Sequence, residues 1–78
     1  MPTILRHDPY RFFFYSGDLG EPPHVHIERD DKLAKVWLDP VRLCGSGRFS
    51  RSEISTIIKI INNKREHMIE AWNDYFSD

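Results

Sequence analysis

Glu21-Pro22-Pro23-His24-Val25-His26-Ile27-Glu28 is the stretch whose reading decides the fold. Pro22 and Pro23 have no N–H and cannot donate to a ladder, so strand pairing starts at about His24. From there β-branched residues alternate with titratable ones. Successive side chains of a strand point to opposite faces. Val25 and Ile27 therefore face one way, and His24, His26 and Glu28 face the other.

A partner strand lies just downstream. Asp30-Asp31-Lys32 reads as a turn, Ala34-Lys35-Val36-Trp37-Leu38 as a strand, and Asp39-Pro40 as its end. Setting Val25 opposite Val36 and Ile27 opposite Ala34 keeps apolar side chains together. It also sets His24 opposite Trp37 and His26 opposite Lys35. A slip of one residue would put Val25 against Lys35 and mix the two faces, so the first register wins.

Upstream, Thr3-Ile4-Leu5-Arg6 is short and β-prone, and His7-Asp8-Pro9 reads as a turn. Tyr10-Arg11-Phe12-Phe13-Phe14-Tyr15 carries aromatics on both faces and reads as a strand. Ser16-Gly17-Asp18-Leu19-Gly20 is a loop by its glycines. Downstream, Val41-Arg42-Leu43-Cys44 can add a short extended piece, and Gly45-Ser46-Gly47 is a turn. Ser50 then stands three residues before Glu53, the spacing of a capping box, with Phe49 and Ile54 placed as a hydrophobic staple. The helix expected from Arg51 to Tyr75 is about 24 residues, or roughly 36 Å. Ile54, Ile57, Ile58, Ile61, Met68, Trp72, Tyr75 and Phe76 form its apolar stripe. Arg65 interrupts that stripe and needs a carboxylate partner or a route to solvent. The acidic residues of this segment, Glu53, Glu66, Glu70, Asp74 and Asp78, read as part of a solvated mixed-charge face.

The expected fold is α+β: a small antiparallel sheet of three to four strands packed on one long C-terminal helix, as a single domain over residues 1–78. One helix covers one side of a sheet. The other side is left with His24, His26, Glu28, Lys35, Trp37 and part of the aromatic strand, and an exposed aromatic face on so small a chain implies a partner, a ligand or a second copy.

Composition narrows the function classes. A chain of 78 residues with 40% hydrophobic and 29% charged residues is an ordinary small globular domain. It buries only roughly 60–65% of its unfolded surface. A net charge of −1 gives no global field toward nucleic acid or membrane, so any such binding uses a local patch. Cys44 is the only cysteine, which excludes an internal disulfide and a paired-cysteine metal site. No stretch approaches about 18 apolar residues, and the N-terminus does not read as a leader. The expected location is cytoplasmic, with no membrane partner.

Two chemistries suit the polar row. His24 and His26 can carry acid–base catalysis, with Arg11 or Lys35 fixing a phosphate and Trp37, Glu28 and Glu21 completing the binding surface. Such a set suits RNA cleavage through the 2′-hydroxyl, with no cofactor. Alternatively, His24 and His26 bind a divalent metal, with Glu28 or Asp39 as third ligand. The plainest reading is packing: His24 against Trp37, and His26 bonded to a backbone carbonyl.

The order of these features resembles a small prokaryotic family of unknown function. Its marks here are Met1-Pro2-Thr3-Ile4, the aromatic strand Arg11–Tyr15, Glu21-Pro22-Pro23-His24-Val25-His26, the segment Ala34–Val41, and Trp72-Asn73-Asp74-Tyr75-Phe76. Arg29–Leu33 and Gly45–Arg48 are its variable parts. The resemblance implies a bacterial or archaeal source and a gene encoded beside a second small protein, in arrangements like toxin–antitoxin modules. It thus implies a partner protein, and carries over no catalytic residues. The alternative to an RNA-directed toxin is a non-enzymatic interaction module, or a homodimer, built on the uncovered aromatic face.

Overall fold

The computed structural model describes residues 3–77. Met1 and Pro2, which belong to the opening that carries the resemblance, and Asp78, the last acidic residue of the helical segment, lie outside the described residues. Five strands form one antiparallel sheet in chain order: β1 (Thr3–His7), β2 (Tyr10–Phe13), β3 (His24–Arg29), β4 (Lys32–Leu38) and β5 (Val41–Gly45). Helix α1 (Arg51–Phe76) follows. The α+β class stands, but the sheet has five strands rather than three to four. Both outer strands are short, mostly exposed segments whose side chains carry little periodic signal.

Three of the four connections are two-residue turns, each begun by an aspartate: Asp8-Pro9, Asp30-Asp31 and Asp39-Pro40. Asp30 takes the left-handed conformation, with φ of 55°, which Asp tolerates better than most residues. The central register is the expected one, with Val25 paired to Val36, Ile27 to Ala34, His24 to Trp37 and His26 to Lys35. It extends one step further, because Leu38 N–H donates to Pro23 C=O at 3.0 Å. That bond pins the loop just before His24.

Tyr10, Phe12 and Phe14 share the core side with Val25, Ile27, Ala34, Val36 and Leu38. Helix α1 lays Ile57, Ile60, Ile61, Met68 and Trp72 on them. The capping box forms: Glu53 N–H donates to Ser50 Oγ at 3.2 Å, and Ser50 N–H reaches back to Glu53. The helix breaks stride at Lys64 (φ −112°, ψ 15°), just after two asparagines, which are poor helix formers. Arg65 follows the kink and finds the partners its position demands, donating to Leu38 C=O and to the Asp39 carboxylate, both at 2.9 Å. Tyr75, expected in the stripe, is 40% exposed, and Ile60, outside that stripe, is buried. Gly47 lies against the Leu33 backbone with φ of 61°, and a Cβ there would sit 2.1 Å from Leu33 O. Only glycine fits.

The second face of the sheet departs most from expectation. β2 stops at Phe13, Phe14 turns into the core beneath the helix, and residues 15–23 fold back over the second face with a 3₁₀ turn at Ser16–Gly20. Phe13 and His24 are 1% and 0% exposed. Trp37 is half-buried, with the Lys35 ammonium 4.7 Å from its ring centroid. The aromatic face is therefore largely covered, by a loop rather than by a second layer of regular structure.

Candidate functional site

The covering loop brings Asp18 onto the two histidines of β3. Its backbone is tied at both ends: Asp18 N–H donates to Tyr15 C=O, and Glu21 N–H donates to Asp18 C=O, each at 3.1 Å. Its carboxylate is aimed by Tyr15 N–H, which donates to Oδ2 at 2.8 Å. Short polar side chains bond nearby backbone in this way and fix tight turns. Asp18 Oδ1 then lies 3.2 Å from His24 Nε2, and Oδ2 lies 3.2 Å from His26 Nε2. The ligand atoms of the three residues all fall within 4.8 Å of one another.

Each ring is held by aromatic walls. His24 sits between Trp37 and Trp72, with centroids at 5.4 and 5.1 Å. Trp72 reaches it because β2–β3 pairing ends at the Phe13–His26 rung, and beyond that rung the tryptophan also meets Phe14. His26 stacks on Phe13 at 5.6 Å and meets the edge of Tyr15 at 4.6 Å. On the far side of its ring, His24 Nδ1 lies 2.9 Å from Pro22 C=O. A carbonyl only accepts, so Nδ1 carries the proton and donates it. In the neutral ring, Nε2 is then a bare lone pair. His24 Nε2 and His26 Nε2 are both buried with no hydrogen-bond partner among the described residues. Their contacts with Asp18 have the length of a hydrogen bond without its geometry.

Burial pushes the His26 imidazole below its ordinary value, and the Asp18 charge offsets only part of that push. Burial alone would raise the Asp18 carboxyl. The Tyr15 N–H and the two imidazoles outweigh it and hold Asp18 below the usual aspartate value. At neutral pH the centre thus presents one anion between two rings. Access is limited: His24 has no exposed side chain, whereas His26 and Asp18 keep 11% and 13%.

The other residues expected at the site surround this centre, already paired. Glu28 lies on the same face as the histidines, but Arg11 takes it across the β2–β3 rung at 2.8 Å, so it is not the third member of the group. Asp39 goes to Arg65. Lys35 donates to Glu21, which lowers the glutamate and raises the lysine. Glu21 Oε1 lies 3.8 Å from His24 Nδ1. Arg11 lies over the Phe13 ring at 4.4 Å. Of the packing reading, His24 does lie on Trp37, but the backbone carbonyl goes to His24 rather than His26. Asp18 was missed because its loop has no period. The one signal was length: a strand-to-strand connection far longer than the two-residue turns elsewhere is a place to look for function.

A shallow basin of about 510 Å³ lies at the far end of the same face, lined by Thr3, Arg6, Arg11, Glu28 and Arg29 among others. It contains none of the three central residues. Arg6 and Arg42 have no ion pair among the described residues. No helix among the described residues is long and apolar enough to cross a membrane.

Comparison with known proteins places this arrangement in a family. Residues 10–73 match the sequence profile of a domain of unknown function, DUF4160, and the chain belongs to that family. The match spans β2 to most of α1, and so includes Asp18, His24 and His26. No curated protein matches the chain. No solved structure matches it either.

Proposed function

We propose that this chain is the toxin-type member of a two-protein module and acts on RNA through Asp18, His24 and His26. The observation that carries the reading is the centre itself, one carboxylate set between two imidazoles by a dedicated loop. The surrounding face supports a phosphate-bearing substrate. Arg11 precedes Phe13, the rung-mate of His26, by two residues, or roughly 7 Å along the strand. Arg6, its own rung-mate, and Arg42 have no ion pair among the described residues and offer their charge to backbone phosphates.

RNA cleavage through the 2′-hydroxyl needs a base for that hydroxyl, an acid for the leaving 5′-oxygen and a cation on the phosphate. The centre supplies the base, at the His26 and Asp18 edge where it meets solvent. Fully buried His24 positions that edge. The gene-pair arrangement implied by the resemblance supports a partner that keeps the activity in check.

The test is expression without the partner. Wild type should arrest growth and leave RNA fragments ending in 2′,3′-cyclic phosphate, and a His24→Ala/His26→Ala double variant should do neither. Equal growth of the two strains, with intact RNA in both, removes the proposal.

A further inference from the structure

We propose that Asp18, His24 and His26 bind one divalent transition-metal ion of the zinc class. The inference starts from a conflict. His24 Nδ1 has spent its proton on Pro22 C=O, so the opposite lone pair points at a carboxylate. His24 is 0% exposed, and water cannot relieve that contact. His26 Nε2 lies equally close to the other carboxylate oxygen, at 3.2 Å, and it too is buried with no hydrogen-bond partner among the described residues. Two ring nitrogens and one carboxylate are thus packed around one point, with no hydrogen bond satisfying either nitrogen. A cation at that point satisfies all three at once.

Geometry and chemistry agree on the class of cation. Ligands about 2.0–2.1 Å from a tetrahedral zinc stand roughly 3.3 Å from each other. The two Asp18–histidine separations are 3.2 Å, one to each carboxylate oxygen, and one ligand atom from each residue falls within 4.8 Å of the others, so modest closure would complete the set. Two imidazoles and one carboxylate suit zinc and its first-row neighbours, whereas calcium and magnesium take oxygen ligands. The outer contacts are those a metal-bound histidine and carboxylate require. Pro22 C=O fixes the His24 tautomer, and Tyr15 N–H orients Asp18. Three protein ligands leave a fourth position, and the residual exposure of His26 and Asp18 places it toward solvent. Glu28 is not a ligand, because Arg11 holds it.

The inference stands whether or not RNA is the substrate. With the metal in place both imidazole lone pairs are used, so the base for an RNA reaction would be solvent at the open position.

The experiment uses the full, untagged chain after dialysis against a chelator, titrated with Zn²⁺ alone and followed by calorimetry and thermal melting. Wild type should bind one equivalent and melt higher with zinc. Asp18→Asn and His26→Gln should weaken binding more than about a hundredfold, beyond the range typical of losing an outer contact. His67→Gln, on the exposed helix surface, should bind as wild type does. Folding of each variant is checked by far-UV circular dichroism, and Asp18→Asn keeps the shape of the site should His26→Gln fail to fold. A folded wild type that takes up no zinc overturns the proposal, and so does equal binding by folded Asp18→Asn. Zinc binding without RNA cleavage overturns only the RNA reading, and RNA cleavage by chelator-treated protein without zinc uptake overturns only this one.

Discussion

One face of the sheet is covered by a 26-residue helix, the other by residues 15–23. Both coverings bury side chains almost completely. Under the helix lie Phe12, Val25, Ile27, Val36 and Leu38, all apolar. On the loop side lie Phe13, most of His26, and His24, whose ring also meets Trp72 of the helix, with Asp18 lowered onto the two rings. Burial of apolar surface is favourable whatever else the residue does. Burial of unpaired ring nitrogens costs free energy unless something meets them. The helix side thus explains why the chain folds, and the loop side holds a cost that folding does not explain.

Adjacent residues on opposite faces give the largest test of that contrast. Phe12→Ala removes a fully buried ring from beneath the helix and should cost about 3–5 kcal/mol. A domain this small has a total stability on the order of 5 kcal/mol, so far-UV circular dichroism should show a chain largely unfolded at 25 °C. Phe13→Ala should cost about 2 kcal/mol, because a loop can settle into the space a helix cannot fill. It should still melt cooperatively, while releasing His26 from the ring it stacks on. Equal losses in urea denaturation would mean that the loop is as much a core layer as the helix.

His24→Leu sharpens the same contrast with a smaller expected effect. The exchange removes a buried ring nitrogen with no partner, which is favourable, and also the bond to Pro22 C=O, which is costly, so the two effects largely offset. The change should shift the metal-free urea midpoint by less than about 1.5 kcal/mol in either direction, while abolishing whatever the centre does. Loss of the fold on this exchange would return His24 to the packing role.

Legibility in the sequence divides along the same line. The helix side was readable because hydrophobic periodicity records it: the Val25–Val36 and Ile27–Ala34 rungs, the Ser50–Glu53 cap and the need of Arg65 for a partner all follow from spacing. The loop side was half readable. Strand alternation put His24, His26 and Glu28 on one face, and it could not distinguish which carboxylate joins the histidines. Glu28 has the right parity but a competitor on the next strand. Asp18 has no parity at all, and only the backbone of the 3₁₀ turn brings it in. The edge strands and the Lys64 kink were weak for a related reason, since mostly exposed segments and single breaks in a helix leave little pattern.

The smallest predicted effect concerns charges at the rim, where the helix start meets the sheet. Glu53 accepts from Arg29 at 2.8 Å and from Lys32 at 3.2 Å, besides closing its own cap. Burial alone would raise its carboxyl, but the Lys32 bond, the Ser50 N–H and the two cations together hold it below its ordinary value of 4.5. A carboxylate lowered in the folded state binds its proton more readily when unfolded, so its stabilisation is present above pH 4.5 and fades as pH falls below it. Urea midpoints should therefore drop between pH 6 and pH 3 in wild type, and by less in Glu53→Gln. Arg29 and Lys32 keep about a third of their side-chain surface in solvent, so added salt should shrink the difference. Solvent and salt can compensate the ion pairs at the helix rim, and cannot reach His24 Nε2 under the loop. A pH dependence unchanged by Glu53→Gln would shift the acid-sensitive part of the fold away from the rim, toward the buried centre.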